Sequence, residues 1–415
     1  MKTSITKIML ATSFMAFGVL TANAGEKFEL SGEIRTRGEF SGKDFNSDTD
    51  GETFGLLRTR LNAKFSPLSH VNVVLTLQDS RVEGSEKNTL SNSKNLDLHQ
   101  GYFDWSTING SNFGLKVGRM ELAYANQRLI GSVGWSNVGR SFDAAVFNYK
   151  GESFKADFFS SRVVEKNTSG QSDNFVASAG DLKTANRDFG DTDLIGIHSE
   201  FISSDGMSVQ PFVYFRTTKI DDGSTATEDK SSTDNLTTLG LYYNFKMENG
   251  LSLEADGAYQ IGKNDVTDVD TKAFMFGINA SMWFGDSDQK FAVKTGFDML
   301  SGDDGTDASE NNTFNTLYAT NHKFYGSMDY FLVNPTIGLK DIFVGGAWKK
   351  ENLGLTADFH IFKTAEGDND LGKELDLNLW WKINSAIKFN AGLGVYFPEA
   401  GDNGVWSYSG MTVSF

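Results

Sequence analysis

The sequence contains no cysteine and only 4 prolines among its 415 residues. Without cysteine the chain can form no disulfide, bind no metal through a thiolate and use no cysteine nucleophile. The sequence also lacks an apolar run of the roughly 20 residues that a membrane-spanning helix needs. Its longest apolar stretch, residues 8–20, falls short of that length. The composition therefore excludes a disulfide scaffold and argues against a helical membrane protein.

The N-terminal residues have the organisation of a secretory signal peptide. Lys2 and Lys7 precede the apolar stretch, and Ala22-Asn23-Ala24 supplies a cleavage site of small residues. We expect residues 1–24 to be removed, so that 25–415 form a single exported domain. Loss of the two lysines changes the formal net charge from −16 to −18. Such an acidic balance argues against nucleic acid as a partner.

Apolar and polar residues alternate along most of the chain, which contains 43 glycines. In the first segment Phe28, Leu30 and Ile34 fall on one face, with glutamates and arginines on the other. A period of two residues is typical of a β-strand with one apolar face. About 18 such segments follow one another to residue 415, a number that transmembrane barrels use.

The connections between these segments alternate in length. Long stretches at 41–53, 83–95, 119–140 and 302–336 are separated by tight turns. Outer-membrane barrels have long extracellular loops and short periplasmic turns, and an alternating last strand that ends in Phe415 is typical of them. The sequence predicts an all-β, transmembrane, antiparallel β-barrel in the outer membrane of a Gram-negative bacterium, in contact with lipid and lipopolysaccharide. Aromatic residues near strand ends fit interfacial girdles: Phe103, Trp105, Trp283, Phe284, Trp380, Trp381, Tyr396 and Phe397.

Arginine is concentrated in the first half of the chain, where nine of the 11 lie at or before Arg162. Four of them share the parity that faces the lumen: Arg35, Arg37, Arg58 and Arg60. A barrel of 18 strands is too wide for its own side chains to fill. The glycine-rich insert at 119–140 is therefore predicted to fold inward as a constriction. Inward arginines predict a channel for anions; the alternative is that they pair with nearby carboxylates and brace the wall.

Other functions fit the sequence less well. His322, near Asp329, is the one mild candidate for a membrane-embedded hydrolase, and a hydrogen-bonding role is the simpler interpretation. A barrel that is plugged and acts as an adhesin or receptor is a further alternative. Acidic loop segments at 44–52, 263–270, 301–310 and 365–370 can hold Ca²⁺, although solvated charge explains them equally. We expect no other cofactor and no catalytic residue.

Two blocks of the sequence resemble the alginate-export family of outer-membrane porins. The first is GRMELAYANQRLIGSVGWSNVGRSFDAA, residues 118–145, and the second is NNTFNTLYATNHKFYGSMDYF, residues 311–331. Ala125-Asn126 stand where the family often has Gly-Asp. The resemblance implies a monomeric barrel of 18 strands whose narrow, arginine-lined lumen passes an anionic polysaccharide such as alginate or a smaller carboxylate, with periplasmic secretion proteins as possible partners. It also implies pore-lining positions: Arg119, Glu121, Gln127, Arg128, Arg140 and Asp143, with His322 and Lys323 in the second block.

Overall fold

The computed structural model describes residues 27–46, 48–86, 88–90, 95–164, 191–203, 206–220 and 232–415. The predicted signal peptide at 1–24 lies outside the described residues, as does most of the predicted loop at 165–191. In the described part of the chain, no helix is long and apolar enough to cross a membrane.

The described part of the chain forms one sheet of 19 strands. One of them, β14, has two residues and pairs in parallel with β12. In chain order the strands are β1 Lys27–Gly42, β2 Glu52–Leu68, β3 Val71–Val82, β4 Leu96–Trp105, β5 Phe113–Met120, β6 Phe142–Lys150, β7 Phe154–Val164, β8 Thr192–Ile202, β9 Met207–Ile220, β10 Ser232–Lys246, β11 Leu251–Asn264, β12 Val269–Gly285, β13 Gln289–Leu300, β14 Glu310–Asn311, β15 Leu339–Lys350, β16 Leu353–Thr364, β17 Asp370–Lys382, β18 Ile387–Pro398 and β19 Gly404–Ser414.

The sheet closes on itself. β19 pairs with β1 in antiparallel register, from Glu33 opposite Ser414 to Gly42 opposite Val405. The other neighbouring strands of the barrel are also antiparallel, and β13 pairs directly with β15. Closure leaves no unpaired edge among the described strands, which is the condition for a sheet to span lipid. The prediction of a closed antiparallel barrel of 18 strands is confirmed.

The outer face of the barrel is an apolar belt. Along β12, Phe274, Phe276 and Ile278 are 43%, 44% and 45% exposed. Their neighbours of opposite parity, Ala273 and Met275, are buried inside. Exposed apolar side chains at every second position suit contact with acyl chains rather than water.

The inside of the barrel contains a hydrophobic core. It is built from side chains of the wall and of two long connections, including Leu129, Ile130, Phe314, Tyr325, Met328, Phe331, Phe362 and Trp406. Tyr396 belongs to this core, because it is 4% exposed and packs 4.5 Å from Tyr330 between ring centroids. The prediction that Tyr396 belongs to an interfacial girdle is therefore wrong. The other proposed girdle residue on this strand, Phe397, points outward and is 37% exposed.

Long connections lie at one end of the barrel. Among the described residues they include 43–51, 121–141 and 301–338, whereas 69–70, 151–153 and 351–352 are among the turns at the other end. That the long connections face the cell exterior stays a prediction. Two of them are called inserts below: the first insert is residues 121–141, between β5 and β6, and the second insert is residues 312–338, between β14 and β15.

Candidate functional site: the lumen and its two inserts

The first insert is fixed where it leaves and rejoins the wall. His99, on β4, lies between its two ends. The imidazole Nε2 is 2.7 Å from Glu121 Oε1, and the hydroxyl of Ser141 donates to the backbone carbonyl of His99 at 2.5 Å. Because the two ends are fixed together on β4, the residues between them extend away from the wall into the lumen.

The middle of the first insert is held by arginines of β1 and β2. Arg35 donates to the carbonyls of Gly134 and Ser136, both at 2.9 Å. Arg37 donates to the carbonyl of Trp135 at 2.7 Å, and its guanidinium lies 3.9 Å from the centre of the indole ring. These donors satisfy carbonyl groups that have no strand partner, so the insert needs the basic wall in order to keep its course.

Most of the predicted lumen arginines are paired with carboxylates. Apart from Arg128, which is described next, four of them are paired: Arg37 with Glu39 at 2.6 Å, Arg58 with Glu33 at 2.6 Å, Arg60 with Glu121 at 3.4 Å and Arg119 with Asp143 at 3.1 Å. Arg35 and Arg140 form no ion pair among the described residues. The alternative that arginines brace the wall therefore describes most members of the set, and two cations remain in excess.

Arg128 is the most buried of the predicted site residues. Its side chain is 2% exposed, with Nε 2.8 Å from Asp256 Oδ2 and Nη2 2.9 Å from Asp298 Oδ1. It also donates to the hydroxyl of Tyr325 at 2.9 Å. A guanidinium enclosed in this way is an anchor that fixes the insert to β11 and β13. It does not present its charge to a solute, contrary to the expectation for a pore-lining arginine.

Gly277 makes room for this anchor. A Cβ at that position on β12 would lie 2.6 Å from Asp298 Oδ1 and 2.7 Å from Asp256 Oδ1. Real Cβ atoms essentially never approach other atoms so closely, so a larger residue would displace the ion pairs. The close approach of the two carboxylates to the backbone is what allows both to reach Arg128.

The two inserts are joined to each other. Ile130 and Tyr318 form a parallel β-bridge, and Thr320 donates to Gln127 both from its backbone N–H and from its hydroxyl, at 2.9 Å each. Arg140 donates to the carbonyls of Tyr318 and Ala319. Burial lowers the pKa of Arg140 from its ordinary value. Gln127 and Arg140, two of the predicted positions, thus link the inserts.

The second insert was not predicted to enter the lumen, and it does. The backbone N–H groups of Ser327 and Met328 donate to Asp376 and Glu374 of β17 at 3.1 and 2.8 Å. Lys43, just after β1, donates to the carbonyl of Met328 at 2.6 Å. The second insert therefore crosses between the β17 wall and the end of β1.

His322 occupies a structural position in the second insert. Its ring stacks on Trp135 of the first insert with centroids 4.4 Å apart, and Nδ1 is 2.6 Å from Asp329 Oδ1. The simpler interpretation of His322, a hydrogen-bonding role, matches this geometry.

The inserts divide the lumen into compartments. A cavity of about 820 Å³ lies on the side of the long connections and is lined by Arg37, Glu39, Trp135, Arg140 and Asn321. Two cavities of about 540 and 630 Å³ lie on the other side. The sequence did not reveal the acidic wall that borders one of them, on β11 and β13 to β17. These acids alternate with apolar residues, as in Leu253-Glu254-Ala255-Asp256, so they share the strand face that points into the lumen. This alternation in the sequence could have predicted the acidic wall.

Among the described residues, no group of three or more His, Asp or Glu side chains is arranged to hold a metal ion. The idea that acidic loops bind Ca²⁺ stays a prediction.

A closed barrel with an apolar belt, a charged lumen and two inward connections defines the class of the protein, an outer-membrane β-barrel channel. Residues 27–368 match the family described as Alginate export, and the chain belongs to this family. It is therefore a channel for solutes in the outer membrane of a Gram-negative bacterium, in contact with lipid, and not an enzyme. No curated protein matches the sequence.

Solved structures of porins share the fold. A BenF-like porin from Pseudomonas fluorescens Pf-5 is 12% identical with a TM-score of 0.59, and the match covers 95% of this chain and 100% of that chain. OccAB4 from Acinetobacter baumannii is 12% identical with a TM-score of 0.59, covering 94% and 98%. OccK11 (OpdR) from Pseudomonas aeruginosa is 12% identical with a TM-score of 0.55, covering 94% and 96%.

Proposed function

We propose that this channel passes small solutes that carry a carboxylate group, through a constriction formed by the two inserts and the basic wall of β1 and β2. The single observation that carries the proposal is the excess of cations at that constriction. Arg35 and Arg140 have no carboxylate partner in the described part of the chain, and both donate to backbone carbonyls of the inserts. Guanidinium groups bind carboxylates in a bidentate geometry that suits a transient passing contact.

The filled lumen favours a small solute. The inserts and the hydrophobic core occupy part of the lumen, and cavities of about 820, 540 and 630 Å³ lie beside them. Such volumes match those of small-molecule sites. The description of the family points instead to alginate, an anionic polysaccharide, and the same basic wall would attract it. One chain closes the barrel around the whole lumen, so the proposed unit of transport is a monomer.

The test is the reversal potential across a planar bilayer in a salt gradient. We expect the channel to prefer anions over cations, and we expect Arg35→Ala to lower the permeability ratio by about twofold or more. Arg35 is the informative position because its removal breaks no ion pair and leaves the insert held by Arg37 and Arg58, which donate to carbonyls of the same segment. Lys246→Ala, at an exposed site at the end of β10, is the control and should leave the ratio unchanged.

A channel without anion preference, or an Arg35→Ala channel with the ratio of the wild type, would contradict the proposal. Block of the current by oligouronates and by small carboxylates then separates the two permeants. Small carboxylates that block at lower concentration than oligouronates support the small-solute assignment, and the reverse order favours the polysaccharide.

A further inference from the structure

The cavity of about 540 Å³ has two polar sides, and it is called the inner compartment below. It lies between the wall of β10 to β16 and the parts of the two inserts that face this wall. Its lining includes Asn126 and Lys323 from the inserts and Glu254 and Asn279 from the wall. A volume of this size accommodates a small organic solute.

Most carboxylates of the inner compartment are already paired. Asp298 lies 2.9 Å from Arg128, and Asp358 lies 2.7 Å from Lys294. A third, Asp341, lies 2.8 Å from the imidazole of His360. These groups neutralise one another inside the wall, so they do not define what the compartment would bind.

Glu254 is different, because it forms no ion pair among the described residues. It accepts a hydrogen bond from Asn244 at 3.0 Å and lies beside the hydroxyl of Tyr242, and both neighbours are neutral. Asn279 is its direct cross-strand partner on β12. The amide oxygen of Asn279 is buried and accepts no hydrogen bond in the described part of the chain. The wall therefore offers a carboxylate on β11 and an unused acceptor on the neighbouring strand β12, and both suit an ammonium group.

The inserts offer a cation and a hydrogen-bond donor on the other side of the inner compartment. The ammonium group of Lys323 donates to the carbonyl of Asn126 at 3.0 Å and has no carboxylate partner within the described residues. The amide nitrogen of Asn126 is buried and donates to no acceptor there. Burial lowers the pKa of Lys323, and the charge of Glu254 partly opposes the shift. A cation and an unused donor at this place suit a carboxylate group.

We propose that the inner compartment is a binding site for zwitterionic solutes that carry both an ammonium and a carboxylate group, the chemistry of α-amino acids and short peptides. The ammonium group lies against Glu254 and Asn279, and the carboxylate lies against Lys323 and Asn126. This inference rests on the proposed function, because it adds a second recognised group to the carboxylate that the constriction selects. A solute with only one charge satisfies one side and leaves the other polar side without a partner.

Uptake into proteoliposomes tests the assignment with three matched probes. Serine carries both groups, 3-hydroxypropanoate lacks the ammonium group, and ethanolamine lacks the carboxylate. We expect saturable uptake of serine, with a half-saturating concentration at least about tenfold below that of either single-charge probe. Equal half-saturating concentrations for the three probes would overturn the inference, and this comparison uses the wild-type protein alone.

Two substitutions test which side of the inner compartment binds the ammonium group and which binds the carboxylate. Glu254→Gln keeps the shape of the side chain, and we expect it to raise the half-saturating concentration for serine by about tenfold while leaving 3-hydroxypropanoate unchanged. Lys323→Met should raise the values for serine and 3-hydroxypropanoate and leave ethanolamine unchanged. Glu248→Gln, at an exposed position of the turn after β10, is the matched control. Slower migration after boiling on a gel confirms that each variant is folded before it is assayed.

Failure of this inference is distinguishable from failure of the proposed function. Anion-selective reversal potentials together with non-saturable uptake of serine would remove the binding site and leave the carboxylate channel. Saturable uptake of serine that is unaffected by Glu254→Gln would place the site elsewhere in the lumen and overturn the assignment to the inner compartment.

Discussion

At the scale of single residues, burial separates anchoring charges from available ones. Arg128 is enclosed by two carboxylates and by Phe324, whose ring centre lies 3.9 Å from the guanidinium carbon. Arg119 belongs to an ion pair that is well exposed, with 38% of its side chain accessible. Breaking a buried ion pair leaves uncompensated charge in a poorly solvated place, whereas water replaces a lost exposed partner.

This contrast gives a prediction about stability. Arg128→Met leaves Asp256 and Asp298 facing each other without a cation, so we expect a loss of about 3–5 kcal/mol in the free energy of unfolding. Arg119→Met, the control, should change it by less than about 1 kcal/mol. Urea unfolding in detergent micelles measures both. Equal losses in both variants would contradict the anchoring role.

The sequence predicts which face of a strand these residues occupy, but not which residues they contact. Alternation with apolar neighbours is enough to place Arg35 and Arg58 inside, because a strand has a period of two. The partners of Arg128 lie more than a hundred residues away along the chain, on β11 and β13. No local period links an insert to a distant strand, so its burial could not be derived from the sequence.

At the scale of elements, the two inserts behave as one body that fills the lumen. Their backbones form a parallel bridge at Ile130 and Tyr318. The ends of the second insert also meet, because Asn334 donates to the carbonyls of Ser301 and Phe314 at 3.0 Å. A connection whose ends are close together can be shortened without stretching the strands that it joins.

Shortening the second insert should therefore widen the channel. We expect replacement of residues 315–333 by a short Gly-Ser linker to raise the single-channel conductance by about twofold or more, because an unfilled barrel of this size holds a continuous water column. Deletion of residues 304–308, an exposed part of the same long connection, is the control and should leave the conductance unchanged. An unchanged conductance in the linker variant would show that the second insert does not limit the flow.

The sequence indicated one insert and missed the other. The first stands out because its glycines and arginines interrupt a regular alternation. The second lies inside a longer connection with an acidic, exposed beginning, so its composition resembles that of a solvent-facing loop. Among the contacts that hold it in the lumen are those with Glu374 and Asp376, and neither residue is distinctive in a strand.

At the scale of the whole molecule, the architecture follows from alternation, connection length and the absence of long apolar runs. These features of the sequence repeat along the whole chain, so an error in the bounds of a single strand does not alter the prediction of a barrel. The interior is less predictable, because packing inside the barrel depends on long-range contacts between connections and wall.

The apolar belt gives a prediction at this scale. Ile278 lies near the middle of β12 and is 45% exposed on the outer face. We expect Ile278→Arg to lower the free energy of unfolding in phospholipid vesicles by about 2–4 kcal/mol, the cost of a charge near the bilayer midplane. Val266→Arg is the matched control, since Val266 is 46% exposed but lies in the connection between β11 and β12. A similar loss in both variants would argue that the belt does not contact hydrocarbon.

The segregation of charge inside the barrel has one more physical consequence. Arg35 on β1 and Glu254 on β11 lie on opposite sides of the barrel, and neither forms an ion pair among the described residues, so an electric field runs across the pore. A dipolar molecule that enters this field experiences a torque and turns until its negative end points to Arg35. Passage then depends on the orientation of the molecule as well as on its size, and two molecules of equal volume but different dipole moment would cross at different rates.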